Sequence, residues 1–263
     1  MPIDTLTVRD AEIRVWSQGD GPPLCYLHGF ETHPGEAGFL QRLAEDHRVL
    51  APEQPGYGES TGFDQIDDML DLVLVYRQLI ESWTAQTGGD RVDLIGHSLG
   101  GMIAAEFAAL CPQLVRRLVL VDPFGLWLDD EPLVDPFVLT ADELKQAKWH
   151  DPAAAPDPEP SIFVPESDDT TGPILERAKN LSVATKFLWP LPDRGLRKRL
   201  PLIQAPTLII HGQSDGLVST SYAERFAALV PGATTAVIPE AGHLPMIERE
   251  DAFLDAVRPF LAG

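Results

Sequence analysis

The chain has 263 residues, enough for one large domain or for a core carrying an insertion. With 44 % hydrophobic residues it can bury a sizeable core, and its formal net charge of −20 argues against nucleic acid and anionic membrane as partners, since both need basic patches. The same charge does not call for a cationic substrate, because acidic surface is solvated by default.

Residues 5–8 and 12–16 alternate apolar and polar, which predicts an antiparallel pair at a sheet edge. Residues 24–27 form a continuous apolar run, expected as a central strand, and residues 48–51 a shorter one. From 66 to 83 the spacing is helical, with Met69, Leu70, Val73, Leu74 and Ile80 recurring three and four apart. A strand at 92–95 leads into a helix at 102–110, and strands follow at 118–121, 207–210 and 235–238 before a last helix at 251–261. This alternation implies an α/β fold, a mainly parallel, doubly wound sheet wrapped by helices on both faces.

Between 123 and 200 the alternation stops. That stretch is rich in proline and acid, carries the run Asp151-Pro152-Ala153-Ala154-Ala155-Pro156-Asp157-Pro158-Glu159-Pro160, and shows only short helices, at 141–148 and 173–187. It reads as a helical cap inserted into a core made of residues 1–122 and 201–263. The basic group Arg194, Arg197, Lys198 and Arg199 is expected as a solvated or salt-bridged hinge face. Cys25 and Cys111 are expected as buried thiols of a reducing compartment. The first residues, Met1-Pro2-Ile3-Asp4-Thr5, have neither the basic nor the apolar part of a secretion signal, and no apolar run reaches membrane-spanning length. The expected location is cytoplasmic.

The chemistry is carried by Gly96-His97-Ser98-Leu99-Gly100-Gly101. G-x-S-x-G between a strand and a helix is a nucleophile elbow, a tight turn that needs small residues on both sides of the serine. A serine hydroxyl is a poor nucleophile without a base, and the base needs a third group to orient it. His243, in Gly242-His243-Leu244 just past the last strand, is the expected base. His28, His33, His47, His97, His150 and His211 are its competitors, with His97 beside the serine but pointing away from it. Asp215, one short turn after the strand at 207–210, is the expected orienting acid. Asp122, at the end of the preceding strand, is its rival and is read instead as organising the entrance to the cap. The oxyanion donors are expected to be the backbone N–H groups of Leu99 and Phe30. No metal and no cofactor is expected.

On these motifs the chain resembles serine-triad members of the α/β-hydrolase superfamily over nearly its whole length. His28-Gly29-Phe30 is similar to the family's H-G-x oxyanion loop, and Pro55-Gly56-Tyr57-Gly58-Glu59-Ser60 to its P-G-x-G-x-S loop. Glu53 stands where that loop is usually preceded by aspartate. The resemblance implies the α/β-hydrolase fold with a cap and hydrolysis through an acyl-enzyme.

Ser98 argues against the dehalogenases and epoxide hydrolases of this fold, which carry aspartate in the elbow. The small cofactor-free perhydrolases usually lack a cap of this length. The C–C hydrolases of ring-fission products usually read G-N-S-x-G-G, with tryptophan after the base; here the residues are His97 and Leu244. A carboxylic ester or lactone is therefore the first reading, C–C hydrolysis the second, and a ligand-binding protein with little turnover the third. Phe30 is expected to face the acyl pocket. Trp127, Trp149 and Trp189 are expected to line it, within a cap that also holds Phe124, Phe137, Phe163 and Phe187. Such a pocket suits a small or medium, apolar or aromatic ester.

Overall fold

The structure is a computed structural model that describes residues 3–156, 159–162, 169, 171–191 and 193–263. Phe163, and Asp157 and Pro158 of the proline-rich run, lie outside the described residues. In chain order the elements are β1 (Ile3–Val8), β2 (Ala11–Gln18), β3 (Pro23–Leu27), α1 (Gly38–Leu43), β4 (Arg48–Pro52), α2 (Met69–Thr87), β5 (Val92–His97), α3 (Leu99–Leu110) and β6 (Val115–Val121). Then come α4 (Ala141–Lys148), α5 (Gly172–Leu188), α6 (Leu196–Arg199), β7 (Thr207–Gly212), α7 (Ser221–Leu229), β8 (Thr234–Ile238), α8 (Pro245–Glu248) and α9 (Glu250–Ala262).

The eight strands form one sheet in the order β1-β2-β4-β3-β5-β6-β7-β8. β1 and β2 are antiparallel, as are β2 and β4, and the other neighbours run parallel. This is the α/β-hydrolase fold, with apolar layers on both faces of the sheet. Alternation within a strand decides which residue faces which layer. Cys25 and Leu27 of β3 point into the layer formed with α2, α3 and α7, while Leu24 and Tyr26 point into the layer formed with α1 and α9. Cys25 and Cys111 are both buried free thiols.

Helix limits follow local chemistry. The Asp68 side chain accepts the N–H groups of Leu70 and Asp71 and starts α2, and Gly88, at φ 85, ends it. Thr140 and Glu143 form a reciprocal capping box at the start of α4. Helix α3 begins at Leu99, three residues earlier than its apolar spacing suggests, because only Ser98 leaves the regular backbone. Among the described residues no strand lies between β6 and β7, and α4, α5 and α6 occupy that segment. No helix among the described residues is long and apolar enough to cross a membrane.

The parallel strands bring the ends of β3, β5, β6, β7 and β8 to one edge. The register carries this across the sheet: Leu27 pairs with Gly96, His97 with Val121, Val121 with Ile210, and Gly212 with Ile238. Every residue proposed for chemistry except those between 123 and 200 leaves the sheet at that edge.

Candidate active site

Ser98 has φ 58 and ψ −118, a conformation costly for a residue with a side chain. The turn is held from three sides. Ser98 N–H donates to the Val121 carbonyl at 2.8 Å, and the Ser98 carbonyl accepts from Met102 at 3.1 Å and Phe124 at 3.2 Å. Close packing explains the glycines. A methyl group added to Gly100 would sit 2.1 Å from the Leu27 carbonyl oxygen.

The Ser98 hydroxyl lies 2.8 Å from His243 Nε2, and His243 Nδ1 lies 2.7 Å from Asp215 Oδ2. Asp215 Oδ1 accepts the N–H groups of Leu217 at 2.8 Å and Val218 at 3.1 Å. A carboxylate on the Nδ1 side makes that nitrogen the donor, which leaves the Nε2 lone pair facing Ser98. Burial pushes the Asp215 carboxyl up, but His243 beside it, with the other hydrogen bonds, holds it below its usual value. All three side chains are buried, and Ser98 has no solvent exposure.

The other histidines have partners elsewhere. His97 Nε2 donates to the His243 carbonyl at 2.7 Å, so it supports the loop that carries the base. His28 Nε2 accepts the Gln54 N–H at 2.9 Å, which leaves Nδ1 to donate to the Gly29 carbonyl. His33 Nε2 donates to the Ala51 carbonyl, His211 Nε2 to that of Val218, and His47 lies 3.7 Å from Asp93. His150 pairs with the Ser214 hydroxyl at 2.8 Å, next to Asp215 in sequence. His97, Asp122 and His243, and likewise Asp122, His211 and Asp215, have the spacing of metal clusters. In both sets the ring nitrogens nearest the cluster already serve hydrogen bonds.

On the oxyanion side, among the described residues neither Phe30 nor Leu99 shares its backbone N–H with another group of the protein. The Phe30 carbonyl accepts the Tyr57 hydroxyl at 3.0 Å, so the P-G-x-G-x-S loop braces the donor strand end. Glu53 anchors that loop. Its carboxylate takes the N–H groups of Glu59 and Ser60 and the Arg14 guanidinium, and the longer side chain reaches all three. Burial, only partly offset by Arg14, raises the Glu53 carboxyl.

Trp127, Trp149 and Trp189 are not among the residues that line the two cavities described below. Trp189 is 55 % exposed. Trp149 is buried with its ring N–H on Glu159 at 3.1 Å, and Trp127 turns its own onto Asp129 at 3.1 Å. Phenylalanines reach the site in their place. The Phe30 ring meets Phe124 at 6.0 Å and Phe137 at 6.4 Å, and Phe124 meets the His243 ring at 5.7 Å. Phe124 also borders a cavity of about 370 Å³, lined by the apolar Met102, Phe187, Leu188 and Leu191 and by the charged Asp68, Glu106, Arg194 and Arg199. A second hollow of about 40 Å³, between Phe30, His97, His243 and Lys148, is too small for more than a water or two.

Lys148 and its partners gave no signal in the sequence. Its carbonyl accepts the His243 N–H at 2.6 Å, and its buried ammonium bridges Glu31 and Glu159, with Arg177 also on Glu31. Burial opposes both charges, yet each partner outweighs it, holding Glu31 below and Lys148 above its usual range. The basic group also finds partners. Arg194 donates to carbonyls at the end of α5, Arg197 pairs with Asp193 and Arg199 with Glu106.

A strand-end serine in line with a histidine and an acid defines a class of hydrolases, and the comparisons agree. The alpha/beta hydrolase family matches residues 26–256, and the chain belongs to it as an enzyme, a hydrolase. It is 29 % identical over 250 residues to the pimeloyl-(acyl-carrier protein) methyl ester esterase of Pectobacterium atrosepticum, spanning 90 % of this chain and 93 % of that one. It is also 29 % identical over 275 residues to the 2-hydroxy-6-oxononadienedioate/2-hydroxy-6-oxononatrienedioate hydrolase of Klebsiella pneumoniae, spanning 97 % and 92 %. Among solved structures, a bacterial membrane phospholipase A shares the fold with a TM-score of 0.81 at 24 % identity, over 99 % of this chain and 86 % of that one.

Proposed function

We propose that the protein is a serine hydrolase of apolar carboxylic esters acting through an acyl-enzyme. The observation that carries this is the line from Ser98 through His243 to Asp215, at 2.8 and 2.7 Å, on a strained elbow. His243 takes the Ser98 proton as the hydroxyl attacks the ester carbonyl and returns it to the leaving alcohol. Asp215 holds the imidazole in the productive tautomer. The Phe30 and Leu99 N–H groups stabilise the oxyanion. Water then attacks the acyl-enzyme by the same path. Residues 123–200 act as the cap, and they bring Phe124 and Phe137 beside Phe30 and Phe124 beside His243. The apolar part of the cavity lining beside Phe124, with the rings of Phe30, Phe124 and Phe137, supports an apolar acyl or alcohol group, and the esterase relative supports the ester bond.

C–C hydrolysis is the second reading, favoured by the Klebsiella pneumoniae relative at equal identity and opposed by His97 and Leu244 in the motif positions. A fluorophosphonate ester should label the protein once, on Ser98, as read by peptide mass. Turnover of p-nitrophenyl esters from acetate to octanoate, set beside a vinylogous diketone, then separates the two reactions. Diketone turnover without ester turnover would favour the second.

A further inference from the structure

Asp122 is the buried carboxyl of this corner that the line from Ser98 to Asp215 leaves out. β6 ends on it at φ 45, in the left-handed region, with no solvent exposure. Its Oδ1 accepts the Gly212 N–H at 2.9 Å and lies 3.5 Å from His211 Nε2. That nitrogen already donates to the Val218 carbonyl at 2.8 Å. Asp122 Oδ2 is buried and meets no N–H or O–H donor among the described residues. Its neighbour is a second carboxyl. Ligand-type atoms of Asp122, Asp215 and His211 lie within 4.8 Å of one another, so the two carboxyl groups are close neighbours.

Two carboxylates this close in a dry site do not both ionise. The one with more donors keeps the charge. Asp215 has two backbone N–H groups and the His243 ring, while Asp122 has a single N–H. The groups facing Asp122 are His97 from β5, His211 and Asp215 from β7 and its loop, His243 from the loop after β8, and Glu248 of α8. None of them is a permanent cation. We propose that Asp122 is held as a neutral carboxylic acid whose O–H donates to the Asp215 carboxylate, which makes it a positioning residue for His243. The inference rests on the proposed role of His243 as base. Burial first, then repulsion from Asp215, pushes the Asp122 carboxyl well above the usual carboxylate range. The shared proton fixes the Asp215 carboxylate against Nδ1 and draws off part of its charge, so Asp215 steadies the imidazolium without taking its proton.

The test is substitution at 122, read as kcat/KM against pH, with infrared difference spectra and thermal unfolding. Asp122→Asn keeps an N–H donor for Asp215 and an acceptor for Gly212. The acid limb should stay within about 0.3 pH unit of wild type, with kcat lowered no more than about threefold. Were Asp122 ionised, the same change would remove an anion beside His243 and move the acid limb down by about one unit; that result overturns the proposal. Asp122→Leu loses the donor, so the acid limb should move up and kcat fall by about tenfold or more. Equal behaviour of Asn and Leu variants would overturn the positioning role. Wild type at neutral pH should show the carbonyl stretch of a buried protonated carboxyl, absent from Asp122→Asn, and its absence from wild type also overturns the proposal. The infrared measurement needs no turnover, and thermal unfolding shows whether Asp122→Asn is folded when its band is compared with that of wild type. An enzyme inert towards every ester would therefore sink the proposed function and leave this inference to its own band.

Discussion

Two buried polar clusters flank His243, and they are built differently. On one side, His97, Asp122, His211 and Asp215 come from the ends of adjacent parallel strands and are held by hydrogen bonds to backbone groups and to the His243 ring. Beside it, Glu31, Lys148, Glu159 and Arg177 join the loop after β3 to three parts of the segment between β6 and β7 by ion pairs. The first cluster exists wherever the sheet exists. The second is made by side chains of that segment meeting Glu31. Lys148 is the residue common to both sides of the site, because its carbonyl holds the His243 N–H while its ammonium holds Glu31, which follows Phe30. On the proposed mechanism the strands supply the reacting groups, and the segment between β6 and β7 links the His243 loop to the loop after β3 through Lys148.

The sharpest break within the first cluster is Ser98→Ala. It should lower ester turnover by about 10⁵-fold or more, with little change in thermal unfolding, since one oxygen is lost and no bulk. Turnover within tenfold of wild type would remove Ser98 from the chemistry. Asp215→Asn should cost about 10³–10⁴-fold, because the amide favours the wrong imidazole tautomer. The comparison to make is with Asp122→Asn on the same scale. If position 122 proved the more sensitive, the orienting acid would belong to β6.

The second cluster breaks through Lys148→Met. Glu159 would then lose its cation and Glu31 would keep only Arg177, and stability should fall by about 2–3 kcal/mol in denaturant unfolding. Activity should fall by about ten- to a hundredfold at saturating substrate, and Lys148→Arg should recover part of both. A loss of stability with unchanged kcat would mean that the ion pairs hold the covering segment and nothing more.

The same contrast explains what could be read from the chain. Each group on the strand side of the site lies within a few residues of a strand end, so apolar runs and short motifs located it: Gly96 to Gly101, Asp215 after β7, Gly242-His243 after β8. Even Asp122 was visible as a candidate, and only its neighbourhood shows why it differs from Asp215. Lys148 had no such local mark. It is one lysine at the end of a short helix, and its partners stand 117 and 11 residues away. The tryptophans show a related limit. Composition says that aromatic residues are present between 123 and 200, but contact decides which ones reach His243, and the structure brings Phe124 and Phe137 there. Helices α1 and α7 went unread because they are short, and their apolar residues face the sheet without the long periodic run that marked α2.

The smallest expected effect compares how the buried histidines at this edge of the sheet and the Lys148 cluster answer acid. Burial lowers the affinity of His28, His97 and His211 for protons, and lowers His33 to about 4. An unfolded chain binds those protons below about pH 6.5, while the fold resists. The stability these neutral rings contribute is therefore complete above about 6.5 and is lost as pH falls towards the folded values, about 4 for His33. Asp122 works in the opposite sense, since its raised carboxyl is protonated in the fold first, and it softens the slope. Glu31 and Lys148 keep their charges across this window, one held low and the other high. Denaturant unfolding at pH 7, 6 and 5 should show falling stability, and His33→Gln should flatten the fall by about one proton. Lys148→Met should shift the whole curve down without changing its slope there. A Lys148→Met curve that lost the slope would mean the two clusters unfold as one unit, and the contrast between them would apply to their chemistry alone.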